Sequence, residues 1–548
     1  TIGTNNNPYM MHWSDFHKVN TLSINSIKNL DLFREQAEKI PNTNPIIEFV
    51  IIGPEAPIAE GIENWLTSLN IFTIAPSKEG ALIETSKIFT RNLINNFIDS
   101  KYNPQFSILK EDIELENVIF DREYIKKFII QTRINFNTPI VLKKDGLCGG
   151  KGVFVEDDHF TLNLGKISDD NDMRFEFILN DLEKYLSIKN NNFLIEEKID
   201  GTEFSLMSLV DSNGNLANFP PVFDYKKLED NDQGPNTGSM GAVLLKRSLL
   251  NTILNNSTIA EAQQLNKNVV KSISDFSNNQ YKGTAYGSFI VTKNNELKVI
   301  EYNCRFGDPE GAIALMSLES DFIELCYKLK LGTLRQEDIE LTDTNILGVY
   351  CVPESYGRNI KSNKDRFDIF FRNKLNNVHL DTLNNNLSNE LGLIYGSCNQ
   401  DEDHLYTDTS RTLLLHSAND DLYKTYNEVY RNIDDVISRL KYRTDIGANF
   451  LSKYELAGVS IDTANSSLKS IKEYLQSTYN NNVKSELGDF GGVYKLGDFN
   501  IVSSIDGVGT KTDFVDKYFG KPAYEGLGED IVNHCINDIL VMGARPLF

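Results

Sequence analysis

The chain has 548 residues, of which 40% are hydrophobic and 24% charged, so we expect a globular protein of three or more domains. Its formal net charge of −22 argues against a nucleic-acid-binding protein, because such proteins carry a basic face. The six cysteines form no CxxC pair, which argues against structural zinc and favours a reducing, cytoplasmic compartment. No apolar run reaches membrane length, so no membrane partner is expected. The acidic net charge likewise predicts no nucleic-acid partner.

The first predicted element is in "PIIEFVIIGPEAPIAEGI", residues 45–62. A continuous apolar run that ends in Gly-Pro is typical of a buried parallel strand followed by a turn and a helix. Ligands bind at the carboxyl ends of such strands, which places Gly53, Pro54 and Glu55 at a candidate binding edge. An ordinary β–α turn gives the same pattern, and this segment alone favours that alternative.

A helical pattern begins at about Ser77, and "PIVLKKDGLCGGKGVFVE" then predicts a strand, a glycine-rich turn and a second strand. Gly149, Gly150 and Gly152 surround Lys151, so backbone amides and one mobile positive charge can wrap an anion. Neither GxxxxGK[ST] nor GxGxxG is present, and a plain hairpin turn is the alternative. Lys143, on the incoming strand, favours the phosphate interpretation.

Another strand, acidic turn and strand are predicted in "NFLIEEKIDGTEFSLMSLVD". Glu196 and Glu197 end the first strand, whose backbone can face the edge of a nucleotide base. Glu203 can accept hydrogen bonds from two ribose hydroxyls. A solvated acidic turn is the alternative.

A hairpin with Asn-Asn at its tip is predicted in "GTAYGSFIVTKNNELKVIEYNCRF". Glu301 and Asn303 are two residues apart and therefore face the same side of a strand. Their hard oxygen ligands suit Mg²⁺ bound to nucleotide phosphates, and Arg305 follows on the same face. A structural ion pair is the alternative, but a polar stripe on a core strand is costly without ligands, which favours a functional site.

Short strands and a long helix are predicted over about 343–442, and the pattern changes near residue 445. Beyond that point, "DGVGTK" at 506–511 can form a phosphate nest with an acidic metal ligand and a lysine. Read alone, it can equally be a tight turn.

The order of lysine, glycine loop, acidic hinge and Glu-x-Asn-x-Arg resembles the ATP-grasp superfamily. The stretches "VIIGPEAPIAEGI", "DQGPNTGSMGA", "EYNCRFGDPE" and "CVPESYG" resemble glycinamide ribonucleotide synthetase, the phosphoribosylamine–glycine ligase, over about 45–442. From about 445, "YELAGVSIDTAN", "SIDGVGTK" and "GEDIVNHCINDILVMGARPLF" resemble the N-terminal part of aminoimidazole ribonucleotide synthetase. The order matches eukaryotic fusions of the two enzymes.

The resemblance implies a multidomain α/β and α+β protein. The implied divisions are a partial N-terminal α/β substrate domain at 1–76, an ATP-grasp domain at 77–342, a small ligase C-terminal domain at 343–444, and a partial aminoimidazole ribonucleotide synthetase domain at 445–548. It also implies ATP-dependent ligation of glycine to 5-phosphoribosylamine through glycyl phosphate, and a cyclo-ligase activity in the complete protein. A homodimer through the complete second domain is compatible with this organisation.

Residue roles follow from the resemblance by matching motifs. The implied ATP-binding residues are Lys87, Lys143, Gly149, Gly150, Lys151, Gly152, Glu196, Glu197, Ile199 and Glu203. Glu301 and Asn303 would bind Mg²⁺, with Mn²⁺ as an alternative, and the implied catalytic residues are Arg305, Lys226 and Asp224. The implied substrate-binding residues are Glu55, Asn236, Thr237, Gly238, Gly307, Asp308 and Pro309. The implied phosphate or metal loop of the second domain is Asp506, Gly507, Gly509, Thr510 and Lys511.

The sequence departs from the family pattern at a few positions. Gly311 replaces the threonine of GDPET, Cys148 and Gly149 replace the alanines of AAGKG, and Ser239 replaces a glycine; we expect altered loop packing with the chemistry retained. Both ends are expected to be cut, with about one βα unit absent at the start. The alternatives are another ATP-grasp carboxylate–amine ligase and a pseudo-enzyme scaffold, and the presence of Lys143, Lys151, Glu301 and Asn303 argues against the scaffold.

Overall fold

The computed structural model describes residues 2–3, 22–23, 49–109, 122–148, 152–156, 160–162, 173–188, 191–357, 391–401, 404–407, 410–436, 440–451, 472, 474–485 and 489–547. The chain divides into two compact units, Thr1–Leu451 and Ser452–Phe548.

The first unit begins with short elements. They are strands β1 (Ile2–Gly3), β2 (Leu22–Ser23) and β3 (Val50–Ile51), helices α1 (Glu55–Glu60) and α2 (Ile62–Ser68), and strand β4 (Thr73–Ile74). The pairs β1–β2 and β3–β4 are both parallel, so the parallel strand predicted within residues 45–62 is present. The predicted burial is wrong, because β3 has one described neighbour strand and Ile51 is 43% exposed.

A small antiparallel sheet and its helices follow. The elements are α3 (Leu82–Thr85), α4 (Lys87–Phe97), β5 (Phe106–Leu109), α5 (Arg122–Phe136), β6 (Ile140–Lys144), β7 (Val153–Val155), α6 (Met173–Leu186) and β8 (Phe193–Glu197). The strand order is β5–β8–β6–β7. Ile125 and Ile129, four residues apart on α5, pack with Leu179 of α6 into one core against Leu142 and Ile195.

A larger antiparallel sheet forms the centre of the unit. Its region contains β9 (Gly201–Val210), β10 (Leu216–Asn218), β11 (Val222–Asp224), β12 (Lys227–Glu229), β13 (Gln233–Asn236), β14 (Gly241–Leu244), α7 (Arg247–Ile253), α8 (Asn256–Ser277), β15 (Gly283–Thr292), β16 (Leu297–Asn303), α9 (Glu310–Met316), α10 (Phe322–Leu331), β17 (Asn345–Cys351), β18 (Leu391–Tyr395), β19 (Cys398–Asp401), β20 (His404–Thr407), β21 (Leu413–Asn419) and α11 (Leu422–Val436). The strand order is β16–β15–β9–β11–β14–β17–β21–β18, with β10 beside β9.

The predicted hairpin with an Asn-Asn tip is confirmed as β15–β16, with Asn295 at a φ of 61° in the turn. The predicted acidic turn is also present, and it connects β8 of the small sheet to β9 of the large sheet. Polar residues at the ends of β16 and β11 line one cavity together with Gly146, Cys148 and Gly152 of the small sheet.

The second unit contains the antiparallel hairpin β22 (Gly492–Leu496) and β23 (Phe499–Ser503), followed by helices α12 (Lys511–Tyr518) and α13 (Tyr524–Val541). Large apolar side chains are exposed on the hairpin and on the helices, including Phe499 of β23 at 78% and Val532 of α13 at 57%. In the described part of the chain, no helix combines the length and the apolar character needed to cross a membrane.

Candidate active site

A cavity of about 500 Å³ in the first unit collects side chains that are far apart in the sequence. Its wall includes these predicted site residues: Glu55, Lys87, Gly152, Asp224, Lys226, Thr237, Gly238, Glu301, Asn303, Arg305 and Asp308. The turn residues Gly149, Gly150 and Lys151 lie outside the described residues. The structure therefore brings most of the sequence-predicted phosphate, metal and substrate residues to one place.

The alternation of β16 directs Glu301 and Asn303 toward this cavity. Tyr302, between them, points into the core, where its hydroxyl donates to Asn266 Oδ1 at 3.0 Å. Burial opposes ionisation of Glu301, but the charges of Lys226 and other nearby cations hold its pKa below the usual value. An ionised carboxylate beside an amide oxygen is a suitable donor set for a divalent cation.

Lys226 and Asp224 form a second charged group in the cavity, at the end of β11. Lys226 Nζ lies 3.8 Å from Asp224 Oδ2. Burial opposes the charge of Lys226, but Glu301 and Asp224 raise its pKa. Burial, reinforced by the charge of Glu310, raises the pKa of Asp224 to about 8.

The "GPNTG" loop is fastened to the same position. The Thr237 amide and hydroxyl both donate to the Lys226 carbonyl, at 2.8 and 2.9 Å. Asn236, also predicted for substrate binding, pairs with Lys227 in the β12–β13 hairpin. The loop is therefore fixed to the backbone of Lys226, and Thr237, Gly238 and Lys226 all line the cavity.

Arg305 is held between two acids. Its Nε lies 3.4 Å from Glu55 Oε2, and its Nη2 lies 3.4 Å from Glu84 Oε1. Glu84 is buried on α3 and accepts from the backbone N–H and the thiol of Cys304, at 2.8 and 3.0 Å. Burial raises the pKa of Glu84, and the neighbouring Arg305 opposes this shift. Glu84, which the sequence did not single out, thus fixes the backbone that carries Arg305.

Lys143 and Glu196 are buried behind the cavity and pair with each other at 2.7 Å. Arg91 Nε donates to the other oxygen of Glu196 at 2.5 Å, and Arg91 Nη2 donates to the Ile300 carbonyl at 2.8 Å. Lys143 Nζ also reaches that carbonyl, at 3.3 Å. The three charged side chains tie β6, β8 and α4 to the strand that carries Glu301. The predicted contact of Lys143 with ATP phosphates remains a prediction.

The predicted base-binding residues Glu197 and Ile199 line a separate depression of about 880 Å³. The Glu197 carboxylate accepts from the backbone and the side chain of Gln105, at 2.9 and 3.0 Å. Glu203 is exposed on β9. On the turn between β6 and β7, a Cβ at Gly152 would lie 2.8 Å from Cys148 Sγ, so this close approach requires glycine.

The "GDPE" turn is fixed by residues that the sequence did not indicate. Asp308 Oδ1 accepts from the Tyr350 hydroxyl at 2.5 Å, and its Oδ2 accepts from Arg411 Nη2 at 2.8 Å. Arg411 also donates to the Gly238 carbonyl at 2.5 Å. Arg411 thereby ties this turn, which contains the cis Asp308–Pro309 peptide, to the "GPNTG" loop.

The second unit places its predicted loop near two other acids and a histidine. Ligand atoms of Asp506, His534 and Asp538 lie within 4.8 Å of one another, a grouping that can hold a metal ion. His534 Nε2 is 2.7 Å from Asp506 Oδ2, and Lys511 Nζ is 2.8 Å from Asp530 Oδ2. Gly507, Gly509 and Thr510 lie on the exposed turn before α12, where Gly509 has a φ of 66°.

Comparisons with known proteins match both parts of the chain. The family model "Phosphoribosylglycinamide synthetase, ATP-grasp (A) domain" matches residues 99–311, and "AIR synthase related protein, N-terminal domain" matches 488–548. The phosphoribosylamine–glycine ligase of Methanococcus vannielii is 32% identical over 434 residues, which cover 78% of this chain and 87% of that protein.

Longer relatives carry the same order of parts. The chain is 28% identical to the trifunctional purine biosynthetic protein adenosine-3 of Chironomus tentans, over 91% of this chain and 35% of that protein. It is 26% identical to the bifunctional purine biosynthetic protein purD of Dictyostelium discoideum, over 92% of this chain and 61% of that protein. The chain therefore spans between about a third and two thirds of these longer proteins.

Solved structures support the fold. The phosphoribosylamine–glycine ligase of Thermotoga maritima matches with a TM-score of 0.55 at 21% identity, over 81% of this chain and 98% of that chain. The biotin carboxylase of Campylobacter jejuni matches with a TM-score of 0.53 at 15% identity, over 80% and 85%. The predicted multidomain α/β class with an ATP-grasp fold, the ATP-dependent ligase family and the second-enzyme resemblance are confirmed. The chain belongs to the phosphoribosylamine–glycine ligase family.

Proposed function

We propose that the first unit joins glycine to 5-phosphoribosylamine in an ATP- and Mg²⁺-dependent reaction of purine biosynthesis. The observation that carries this proposal is the cavity in which Glu301 and Asn303, from one strand face, meet Lys226 and Arg305. Acids that can hold a metal and cations that can face phosphate are the groups that phosphoryl transfer requires.

Glu301 and Asn303 would hold the divalent cation, with Mn²⁺ as an alternative to Mg²⁺. Their fit rests on the donor set, since the nearby cations keep the buried Glu301 carboxylate ionised. When bound, the metal would neutralise charge on the nucleotide phosphates.

The chain's own cations would orient the triphosphate. Lys87 and Lys226 reach the cavity from different elements, α4 and the β11–β12 connection. A carboxylate oxygen of glycine attacks the γ-phosphorus, the bond to the ADP oxygen breaks, and glycyl phosphate forms. The amine of phosphoribosylamine then attacks the acyl carbon, phosphate leaves, and the new amide loses one proton. Positive side chains offset the charge on the leaving groups, and no covalent enzyme nucleophile is required.

The phosphoribosyl substrate is proposed to bind near Glu55, Arg305 and Asp308, at the part of the cavity that Arg411 also lines. Asp308 is oriented by Tyr350 and Arg411 before any ligand arrives. Such preorganisation would reduce the entropy lost on positioning the amine against the acyl phosphate.

The test uses the full chain with ATP, glycine, and phosphoribosylamine generated in situ from ribose 5-phosphate and ammonia. ADP formation is expected to require both co-substrates, and mass spectrometry should detect glycinamide ribonucleotide. Lys226→Met should abolish product, whereas Lys271→Met, on the exposed face of α8, should retain it. Product with a different carboxylate or amine would instead identify another ATP-grasp ligase, and ATP binding without turnover would favour a scaffold.

For the second unit, we propose a contribution to the cyclo-ligase that makes aminoimidazole ribonucleotide, on the basis of the match over 488–548. The four domain ranges predicted from the sequence, a cytoplasmic location and a homodimer through the complete second domain remain parts of the same proposal. Assay of this activity with formylglycinamidine ribonucleotide and ATP, on a chain that covers the full length of the longer relatives, tests it.

A further inference from the structure

Two buried acids face the cavity without a use in the steps described above. Asp224 ends β11, with its side chain 7% exposed, and Glu310 begins α9 and is 4% exposed. Both line the cavity. Within the described residues, neither Asp224 Oδ1 nor Glu310 Oε2 has a hydrogen-bond partner. Buried acceptors left unpaired are costly, so a pair of them at one cavity points to a donor supplied by a ligand.

The other oxygen of Glu310 has a protein donor, which leaves Oε2 for the cavity. The Tyr286 hydroxyl donates to Glu310 Oε1 at 2.7 Å and lies 2.7 Å from the Ser205 hydroxyl. A Cβ at residue 307 would lie 2.9 Å from Glu310 Oε2, so Gly307 leaves the space that this oxygen occupies. Tyr286 thus orients the carboxylate, and Gly307 leaves room for its second oxygen.

We infer that Asp224 and Glu310 together bind the α-ammonium group of the amino-acid substrate. This inference rests on the proposed ligase function and assigns one end of its carboxylate substrate. An ammonium group has three N–H donors, which suits two carboxylate oxygens that lack partners. Lys226 lies beside Asp224 and interacts electrostatically with both Asp224 and Glu301, so the substrate carboxylate would extend from the acids toward the metal and phosphate side.

Holding the amine as an ammonium also has a chemical consequence. A free amine on glycine could attack glycyl phosphate, whereas a protonated amine has no lone pair for this reaction. Burial and the nearby charge of Glu310 raise the pKa of Asp224, and an ammonium ligand between the two acids would lower it. Two acids therefore serve both recognition and protection of the substrate.

The test measures steady-state kinetics of the full chain with Glu310→Gln and Asp224→Asn. Each variant should raise the KM for glycine at least about tenfold, the lower limit for losing a hydrogen bond to a charged group, with the KM for ATP changed less than about twofold. Glu63→Gln is the matched control, because Glu63 is equally buried but pairs with Lys282 at 2.5 Å outside the cavity. Its glycine KM should remain at the wild-type value.

A measurement on the unmodified chain covers the case in which a variant fails to fold. Glycolate replaces the ammonium with a hydroxyl, so it should compete with glycine at least about tenfold more weakly than unlabelled glycine does. Glycolate that competes as well as glycine, or folded variants with an unchanged glycine KM, would overturn the inference. Absence of ligase activity in the wild-type chain that still binds glycine with this preference would instead refute the proposed function alone.

Discussion

The buried group Arg91–Glu196–Lys143 allows a test of how the strand with the metal-binding residues is supported. Glu196 has two cationic partners, at 2.5 and 2.7 Å, and all three side chains are less than a tenth exposed. The substitution Arg91→Met removes one cation but keeps most of the apolar stem. It also removes the donor to the Ile300 carbonyl, one residue before Glu301.

The expected loss can be worked from these contacts. Breaking a buried ion pair from one side costs about 3–5 kcal/mol, because an insufficiently paired charge stays in the interior. Lys143 remains to pair with Glu196, so we expect the lower end, about 3 kcal/mol of unfolding free energy. The exposed pair Lys271–Asp275, whose side chains are 75% and 66% exposed, should contribute about 0–1 kcal/mol.

Urea-dependent pulse proteolysis of the full chain measures both losses. The first unit of Arg91→Met should become cleavable at lower urea than wild type, and Lys271→Met should follow wild type closely. If the two variants lose the same small amount of stability, the buried group does not support this part of the fold and the reasoning is refuted.

Four other substitutions test the cavity and the second unit. Glu301→Gln should abolish Mg²⁺-dependent product formation while leaving the fold intact, and turnover at ordinary Mg²⁺ would contradict the metal assignment. Glu203→Ala should weaken ATP binding by about 1.5–3 kcal/mol in calorimetry; equal affinity would place the ribose elsewhere. Gly526→Ala, where a Cβ meets nothing within 4 Å on α13, should stabilise the second unit against urea by about 0.5–1 kcal/mol, and a loss would indicate a packed surface there. In the native state Asp224 keeps its proton from its ordinary pKa of 3.8 up to a pKa of about 8. The unfolding free energy of the wild-type chain should therefore fall as pH rises through this window, and Asp224→Asn should lack that contribution. Identical pH profiles of the two proteins would refute this assignment.

Local patterns predicted the part of the site that depends on one strand. The two-residue spacing of Glu301 and Asn303 is sufficient to place them on one side, and the structure has Tyr302 in the core between them. The Asn-Asn hairpin tip could be predicted for the same reason, since turn chemistry acts over a few residues. Family resemblance added Lys226 and Asp224, which no short-range pattern would have connected to Glu301.

Contacts between distant segments could not be predicted in this way. Arg411 fixes Asp308, although about a hundred residues separate them, and an isolated arginine before a strand gives no signal of such a partner. Glu84 reaches Cys304 and Arg305 from the other end of the unit. The pairing of Lys143 with Glu196 depends on the antiparallel neighbours β6 and β8, whose pairing the sequence does not specify.

The charges around the cavity indicate that a protein with a net charge of −22 needs a divalent cation to bind a nucleotide tightly. Arg305 lies between Glu55 and Glu84, and the ionised Glu301 carboxylate acts on the charge of Lys226, so these cations are already accompanied by acids before phosphate arrives. A bare triphosphate would therefore meet nearly balanced side chains rather than an excess of positive charge. A divalent cation held by Glu301 and Asn303 would turn the anion-repelling Glu301 carboxylate into part of a site that attracts phosphate. We therefore expect nucleotide affinity to depend steeply on divalent cation in the wild-type chain and to lose most of that dependence in Glu301→Gln, a comparison that calorimetry with and without Mg²⁺ can make.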